Sequence, residues 1–451
     1  MPNQIKKYLR DLLEISGAMG IDLYIVGGTL RDHLLQREST DYDFSLKGAE
    51  SLSTQFARNY HLPFVTLDKT PGRETTRVVI QNRIYFDFTE MQGESIEEDL
   101  LMRDFTLNAM GITLQNFLSG LWEIIDPANG QKDINQRIIR MVSDSSFPND
   151  PLRMLRSFRF AGSLNFLIAN ETLNQIECLN LEISKVAPER IHYELTQLFN
   201  SDHLFPYLKS LGQTGLLGSL IPEILKCPAS SRQDESFWET SLQNHKFMDQ
   251  FLSFPEKFFP SLSQERFQSI WEHRSLIRLA LLLQDLDEGV NVLGHSPDKK
   301  NHGLPETCSV LRRLRFSNSD TVHIAKTICF QKKALATQLK FAMNPAQGAE
   351  TYRFVKEAGN ELPSSLILTC VGNSRLLSAA GRILDFFYDR YLTVKKSGGL
   401  INGDDLMQKF KLSPGPMIGK ILDQLEEEQV LGTIKTLREA EEIALGIIDP
   451  K

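Results

Sequence analysis

The segment Ile25–Leu46 reads IVGGTLRDHLLQRESTDYDFSL, and its punctuation decides the fold. The preceding DLYIV and the Gly27–Gly28 pair predict a buried strand closing in a tight turn. TLRDHLLQ predicts a helix, and the alternation of Asp41–Leu46 predicts a second strand. Successive strand side chains point to opposite faces, so Asp41 and Asp43 share one face. Two carboxylates there repel unless a cation lies between them, and hard oxygen donors suit Mg²⁺. Gly27 and Gly28 lack side chains, so a phosphate can approach backbone N–H groups near the helix start. A phosphate cradle beside paired aspartates is what two-metal phosphoryl or nucleotidyl transfer requires. A glycine turn before a solvated acidic strand is the plainer reading, and either feature alone would deserve it.

Working outward, residues 4–18 carry a helical pattern, and further strands are predicted at Arg77–Ile80 and Ile84–Phe88. Between them lies a polar loop, LDKTPGRETT (67–76). Residues 99–110 predict a helix, and 113–118 and Leu121–Asp126 predict strands. From about Gln131 strand signals nearly vanish. PLRMLRSFRFAGSL (151–164), ERIHYELTQLF (189–199), SLIRLALLLQDL (275–286) and GKILDQLEEEQVL (419–431) all have helical periodicity. The expected fold class is α+β, an N-terminal α/β head followed by an elongated all-α neck, body and tail. The boundaries expected are 1–130 for the head, 131–222 for the neck, 223–394 for the body and 395–451 for the tail.

Composition bounds the function. A chain of 451 residues suggests roughly three units, each large enough for its own core. Its 41% hydrophobic and 24% charged content is ordinary for globular proteins and excludes general disorder. The apolar run near Leu276–Leu283 is too short for a membrane span, and Arg278 interrupts it. No signal-peptide pattern opens the chain. Cys178, Cys227, Cys308, Cys329 and Cys370 are scattered without metal-ligand spacing, as expected of reduced thiols in a cytoplasmic protein. A net charge of −7 excludes a protein coated in positive charge and confines nucleic-acid contacts to patches.

The quoted segment resembles the nucleotidyltransferase motif of the class II tRNA CCA-end nucleotidyltransferases and bacterial poly(A) polymerases. The resemblance continues in order through RDFTLNAM (103–110), IIDPANGQKDI (124–134), NDPLRMLRSFRF (149–160) and APERIHYEL (187–195). INGDDLMQKFKLSPGPMIGKILDQL (401–425) resembles the family's C-terminal region, less specifically. Gln36 stands where the family usually has glycine, and Asn149 where glutamate is common.

The resemblance implies an enzyme that adds C and/or A to a tRNA 3′ end from CTP or ATP without a nucleic-acid template. Asp41 and Asp43 would hold two Mg²⁺ ions, and Asp87 could supply a third carboxylate, a solvated strand residue being the equal alternative. Gly27, Gly28, Arg31, Asp32 and Arg103 are candidates for nucleotide contact. Asp104 and Asn108, one helical turn apart on one face, would hold the sugar; a helix cap is the plainer role for Asp104. Asp150 and Arg153, three apart on a helix, pose a choice between a local surface ion pair and a template for a base. Cytosine and adenine both present an amino donor beside a ring-nitrogen acceptor, which a carboxylate and an arginine match and uracil and guanine do not. Family members use this pair in that way. Arg156, a further nucleotide-binding candidate, and Arg159 continue the basic face toward phosphate or RNA, with packing through their stems as the alternative. Glu189 and Arg190 would buttress the template. The loop 67–76 would be the element that lets the pocket change from C to A.

SLIRLALLLQDLDEG (275–289) is similar to the core of an HD phosphohydrolase domain, yet Gln284 precedes Asp285 where a His–Asp pair is needed. A scaffold without hydrolase activity is expected, with His245 and His302 as surface or core residues. Lys420, in SPGPMIGK, is a candidate RNA-phosphate contact, an ordinary helix start being its alternative. Full CCA addition, partial addition, polyadenylation and a catalytically silent RNA-binding scaffold stay open. The absence of a strongly basic C-terminal extension disfavours polyadenylation.

Overall fold

The computed structural model describes residues 3–81, 84–226, 236–287, 303–343 and 348–448. It divides into two units, Met1–Leu198 with Ser210–Leu220, and Phe199–Lys209 with Ile221–Lys451.

The first unit opens with helix α1 (Asn3–Met19), strand β1 (Tyr24–Val26), α2 (Gly27–Leu34), β2 (Asp41–Leu46) and α3 (Ala49–Tyr60). β3 (Phe64–Asp68), β4 (Thr75–Gln81) and β5 (Ile84–Glu90) follow, and after α4 (Ile96–Leu101) the chain adds β6 (Gly111–Thr113). The six strands form one mixed sheet in the order β3-β4-β5-β2-β1-β6. β2 and β5 are parallel, with Asp43 opposite Asp87. The period of two in DYDFSL places Tyr42, Phe44 and Leu46 in the core and leaves Asp41 and Asp43 on the other face, partly exposed. Phe44, Phe56, Phe86 and Phe88 are fully buried, and Phe44 and Phe88 stack at 5.1 Å. Burying each ring contributes about 1.5–3 kcal/mol, so the strand that carries the aspartates is firmly held.

Three predicted elements differ. The helix expected over 99–110 ends at Leu101, and a short 3₁₀ turn covers Thr106–Asn108. The cause is local: the Asp104 carboxylate accepts from the Phe105 N–H at 2.9 Å, and Thr106 N–H donates to the Arg140 carbonyl at 2.9 Å. The strand expected over 113–118 is instead the end of β6 followed by helix α5 (Leu114–Ser119), because the Thr113 hydroxyl caps it by accepting from Asn116 N–H. Leu121–Asp126 makes a single bridge, Ile125 with Gly111, and no strand. The polar loop also shrinks, since Leu67 and Asp68 belong to β3 and Thr75 and Thr76 to β4.

Helices α6 (Gly130–Gln136), α7 (Ser146–Asn149), α8 (Leu152–Leu164), α9 (Asn170–Leu179) and α10 (Pro188–Phe199) complete the part that bears the site. A two-stranded parallel ribbon, Ile138–Ile139 with Leu167–Ile168, interrupts them. Gly130 is obligatory, because a Cβ there would lie 2.2 Å from the Thr106 carbonyl oxygen.

The second unit is helical throughout its described residues. Arg278, which breaks the apolar run, is fully buried and held through its two terminal nitrogens: it pairs with Asp249 at 2.6 Å and donates to the carbonyls of Phe199 and Ser201, while its Nε has no partner among the described residues. Near the C-terminus Asn402 and Asp405 form a capping box, and Leu406, Ile421 and Leu425 build a small separate core. Among the described residues no helix is long and apolar enough to cross a membrane.

Candidate active site

A cavity of about 720 Å³ in the first unit is lined by residues from β2, β5, α2, α8 and α10. Its floor is the aspartate edge. Asp43 is pinned from both sides: its N–H donates to the Thr29 hydroxyl at 2.7 Å, and its carboxylate accepts from Gly28 N–H at 3.2 Å. Gly27 adopts φ +64°, and a Cβ on it would press on Arg103 at 3.1 Å and Asp43 at 3.3 Å, so the turn requires glycine. The Gly28 N–H that sequence reasoning offered to a phosphate is thus directed at Asp43. Gln36 also has a left-handed φ of 56°, which explains why glycine suits that place in relatives and marks a small strain here.

Asp43 carries an unbalanced charge. Burial and the neighbouring Asp87 push its carboxyl up to about 6, against the pull of Arg103. Asp87 does not join it as a free third ligand. Arg77 grips both Asp87 oxygens at 2.8 and 2.7 Å and lies 3.7 Å from Asp41. Among the described residues no group of three or more His, Cys, Asp or Glu is arranged to hold a metal. Asp41 and Asp43, which lack the two-oxygen arginine grip that holds Asp87, are the oxygen donors on this edge that fit a hard divalent cation.

The facing wall is the reverse case, with acids and arginines matched. Arg156 donates to Asp104 at 2.8 and 3.0 Å and to Glu194 at 3.0 Å, and Arg159 pairs with Glu194 at 2.5 Å. Burial would raise the Asp104 carboxyl, but Arg156 and the Asn108 amide more than reverse this and hold it down at about 2. Asn108 donates to Asp104 at 3.0 Å and accepts from Arg31 at 2.8 Å, so the expected shared face exists without an α-helix. Arg31 also clasps Asp32, and Arg103 is held by the buried Asp99 at 3.0 Å.

Asp150 and Arg153 are not an ion pair and do not both sit within a helix. Asp150 precedes α8 in extended conformation and accepts from Leu152 N–H at 3.2 Å. Its partner is Arg190, at 2.8 Å. Arg153 turns instead to backbone oxygens, donating to the carbonyls of Met102 at 2.9 Å and Arg103 at 3.2 Å. Asn149 removes a carboxylate from this neighbourhood, and the two carbonyls fix the guanidinium in its place.

Gly27, Gly28, Arg31, Asp32, Asp41, Asp43, Asp87, Arg103, Asp104, Asn108, Asp150, Arg153, Arg156 and Arg159 all line this one cavity. Lys420 belongs to the second unit, exposed on the helix Pro416–Leu431. Sequence reasoning missed Arg77, Asp99, Tyr193 and Glu194. Asp99 had a signal in its i,i+4 spacing to Arg103, whereas Arg77 finds Asp87 only through strand pairing.

In the second unit, Gln284 accepts a hydrogen bond from the Gln331 amide at 2.9 Å. His245 is fully buried, its ring nitrogens 2.9 and 3.3 Å from the carbonyls of Ser241 and Arg278, and burial brings its pKa down to about 4. His302 lies outside the described residues.

Three family models match the chain: the poly A polymerase head domain over residues 23–140, a probable RNA- and SrmB-binding site of polymerase A over 165–227, and a tRNA nucleotidyltransferase domain 2 over 302–442. A CC-adding tRNA nucleotidyltransferase of Geobacter sulfurreducens is 28% identical, with 94% of this chain and 91% of that one covered. An A-adding tRNA nucleotidyltransferase of Deinococcus radiodurans is 26% identical over 92% and 93%. The Thermotoga maritima CCA-adding enzyme, solved in complex with tRNA, superposes with a TM-score of 0.70 at 19% identity, covering 100% of this chain and 97% of that one. With its motifs in family order around one cavity, and matched along nearly its whole length, this chain belongs to the poly(A) polymerase and tRNA nucleotidyltransferase family.

Proposed function

We propose that this protein adds C and/or A to the 3′ end of tRNA, using CTP and/or ATP and no nucleic-acid template. One observation carries the reading: Asp41 and Asp43, on one face of a strand, face a wall of paired arginines and acids across a single cavity. The relatives it matches are named for CC, A and CCA addition, which supports tRNA as the acceptor. Residues 1–130 would be the catalytic head, 131–222 the base-reading neck, 223–394 the helical body and 395–451 a tail that contacts tRNA through Lys420. A cytoplasmic location suits that substrate.

In the reaction, the RNA 3′-hydroxyl oxygen bonds to the α-phosphorus, its proton leaves, and the bond to the bridging β-phosphate oxygen breaks to release pyrophosphate. Two Mg²⁺ ions held by Asp41 and Asp43 would supply the positive charge that acidifies a hydroxyl and offsets a departing diphosphate. Thr29 and Gly28 keep Asp43 aimed, and Arg77 keeps Asp87 neutralised beside it. Arg31 and Arg103 stand beside the glycine turn, placed for triphosphate oxygens. Asp104 and Asn108 offer an acceptor and an amide for a ribose hydroxyl. Asp150 would accept from the amino group of C or A, and Arg153 would donate to the adjacent ring nitrogen, once each turns from its resting partner.

The test is the double variant Asp41→Ala plus Asp43→Ala. Incorporation of labelled nucleotide should vanish while tRNA binding, measured by filter retention, survives. Undiminished incorporation would refute the mechanism.

A further inference from the structure

Tyr193 is 57% exposed although it lines the cavity, so its ring stands where the cavity opens to solvent. Its helix, α10, is locked in rotation by its neighbours. Glu194 is buried and bound to both Arg156 and Arg159, and Arg190, one turn earlier on the same side, is tied to Asp150. The tyrosine ring is therefore presented by a rigid element, not by a loop. Arg73 lines the same cavity, as do Arg159, which is paired with Glu194, and Arg190, which is paired with Asp150.

We infer that Tyr193 is a stacking platform for the 3′-terminal base of the RNA being extended, a positioning role that rests on the proposed function. The incoming nucleotide has a donor–acceptor wall of its own in Asp150 and Arg153. The RNA end has a different need, because its terminal base changes identity after each addition. Stacking on an aromatic face tolerates any base, while hydrogen-bond readout does not. An exposed ring in a cavity that also carries guanidinium groups suits a base with phosphates beside it. Stacking there would hold the terminal ribose, and with it the attacking hydroxyl, at the mouth of the cavity that holds Asp41 and Asp43.

The experiment places 2-aminopurine at the 3′-terminal position of a tRNA and titrates it with the full-length wild-type chain and with Tyr193→Ala, Tyr193→Phe and Tyr193→Trp. Wild type, Phe and Trp should quench the fluorescence. Tyr193→Ala should lose the quench and raise KM for tRNA about tenfold. KM for the triphosphate and the thermal midpoint should stay within error of wild type. Tyr193→Gln, which keeps a long side chain without a ring, should behave as Ala and guards against a local collapse in the smaller variant. Retained quenching in Ala and Gln would overturn the inference, as would a Phe variant as impaired as Ala. Quenching is read without turnover, so a wild-type chain that stacks the RNA end yet extends no tRNA would strike the proposed function and leave this inference standing.

Discussion

The two sides of the cavity solve opposite electrostatic problems with the same residue types. On the β2 edge, Asp43 has too few cations near it, and burial beside Asp87 raises its carboxyl to about 6. On the helical wall, Asp104 is also buried, yet Arg156 and Asn108 hold it down at about 2. Burial is thus common to both; the neighbouring carboxylates Asp87 and Asp41 tip Asp43 upward, and direct hydrogen bonds from Arg156 and Asn108 bring Asp104 down. The edge keeps a deficit of positive charge at Asp43. The wall's charges are already matched, so Asp104, Arg156 and Glu194 are held in place by one another.

Breaking the edge should have the largest effect. Asp43→Asn is expected to lower nucleotide incorporation by at least about 10³-fold with the fold intact by circular dichroism; a loss below tenfold would contradict the assignment. The wall should respond in stability. Arg156→Ala leaves Asp104 and Glu194 buried without their shared partner and should cost about 3–5 kcal/mol in a urea titration. A cost under 1 kcal/mol would show that the network is not integral to the fold. Selectivity comes next: Arg153→Ala should reduce preference for CTP and ATP over UTP and GTP about 10–100-fold, measured as a ratio of kcat/KM, while total incorporation with the best triphosphate falls less.

The smallest expected effect separates the two sides by pH. Asp104 binds a proton more weakly folded than unfolded, so it contributes about 2 kcal/mol of stability above pH 4 that is lost as pH falls from 3.8 toward 2. Asp43 binds its proton more tightly folded, so in metal-free protein its contribution, about 1–2 kcal/mol after allowing for partial exposure, is lost as pH rises from 3.8 through 6. Urea midpoints across pH should show the second slope vanish in Asp43→Asn. A slope unchanged by that substitution would remove the electrostatic contrast.

Much of this was legible in the chain. The alternation in DYDFSL fixed both the strand and the shared face of Asp41 and Asp43, because a period of two leaves a half-buried strand no other register. Local side-chain bonding hid the rest. Asp104 and Thr113 each divert a backbone N–H, ending a helix in one place and starting one in another, and hydrophobic periodicity does not register such competition. Partners distant in sequence were equally hidden. Spacing placed Arg153 next to Asp150, whereas the fold gives Asp150 to Arg190, forty residues on, and Asp87 to Arg77 on the adjacent strand.

The most direct test of the account offers the wild-type chain three tRNAs, ending at the discriminator base, at C and at CC, each with one labelled triphosphate, and sizes the products. Extension of at least one acceptor by CTP or ATP, and of none by UTP or GTP, is the predicted result. No extension of any acceptor, or equal extension with UTP, would contradict it.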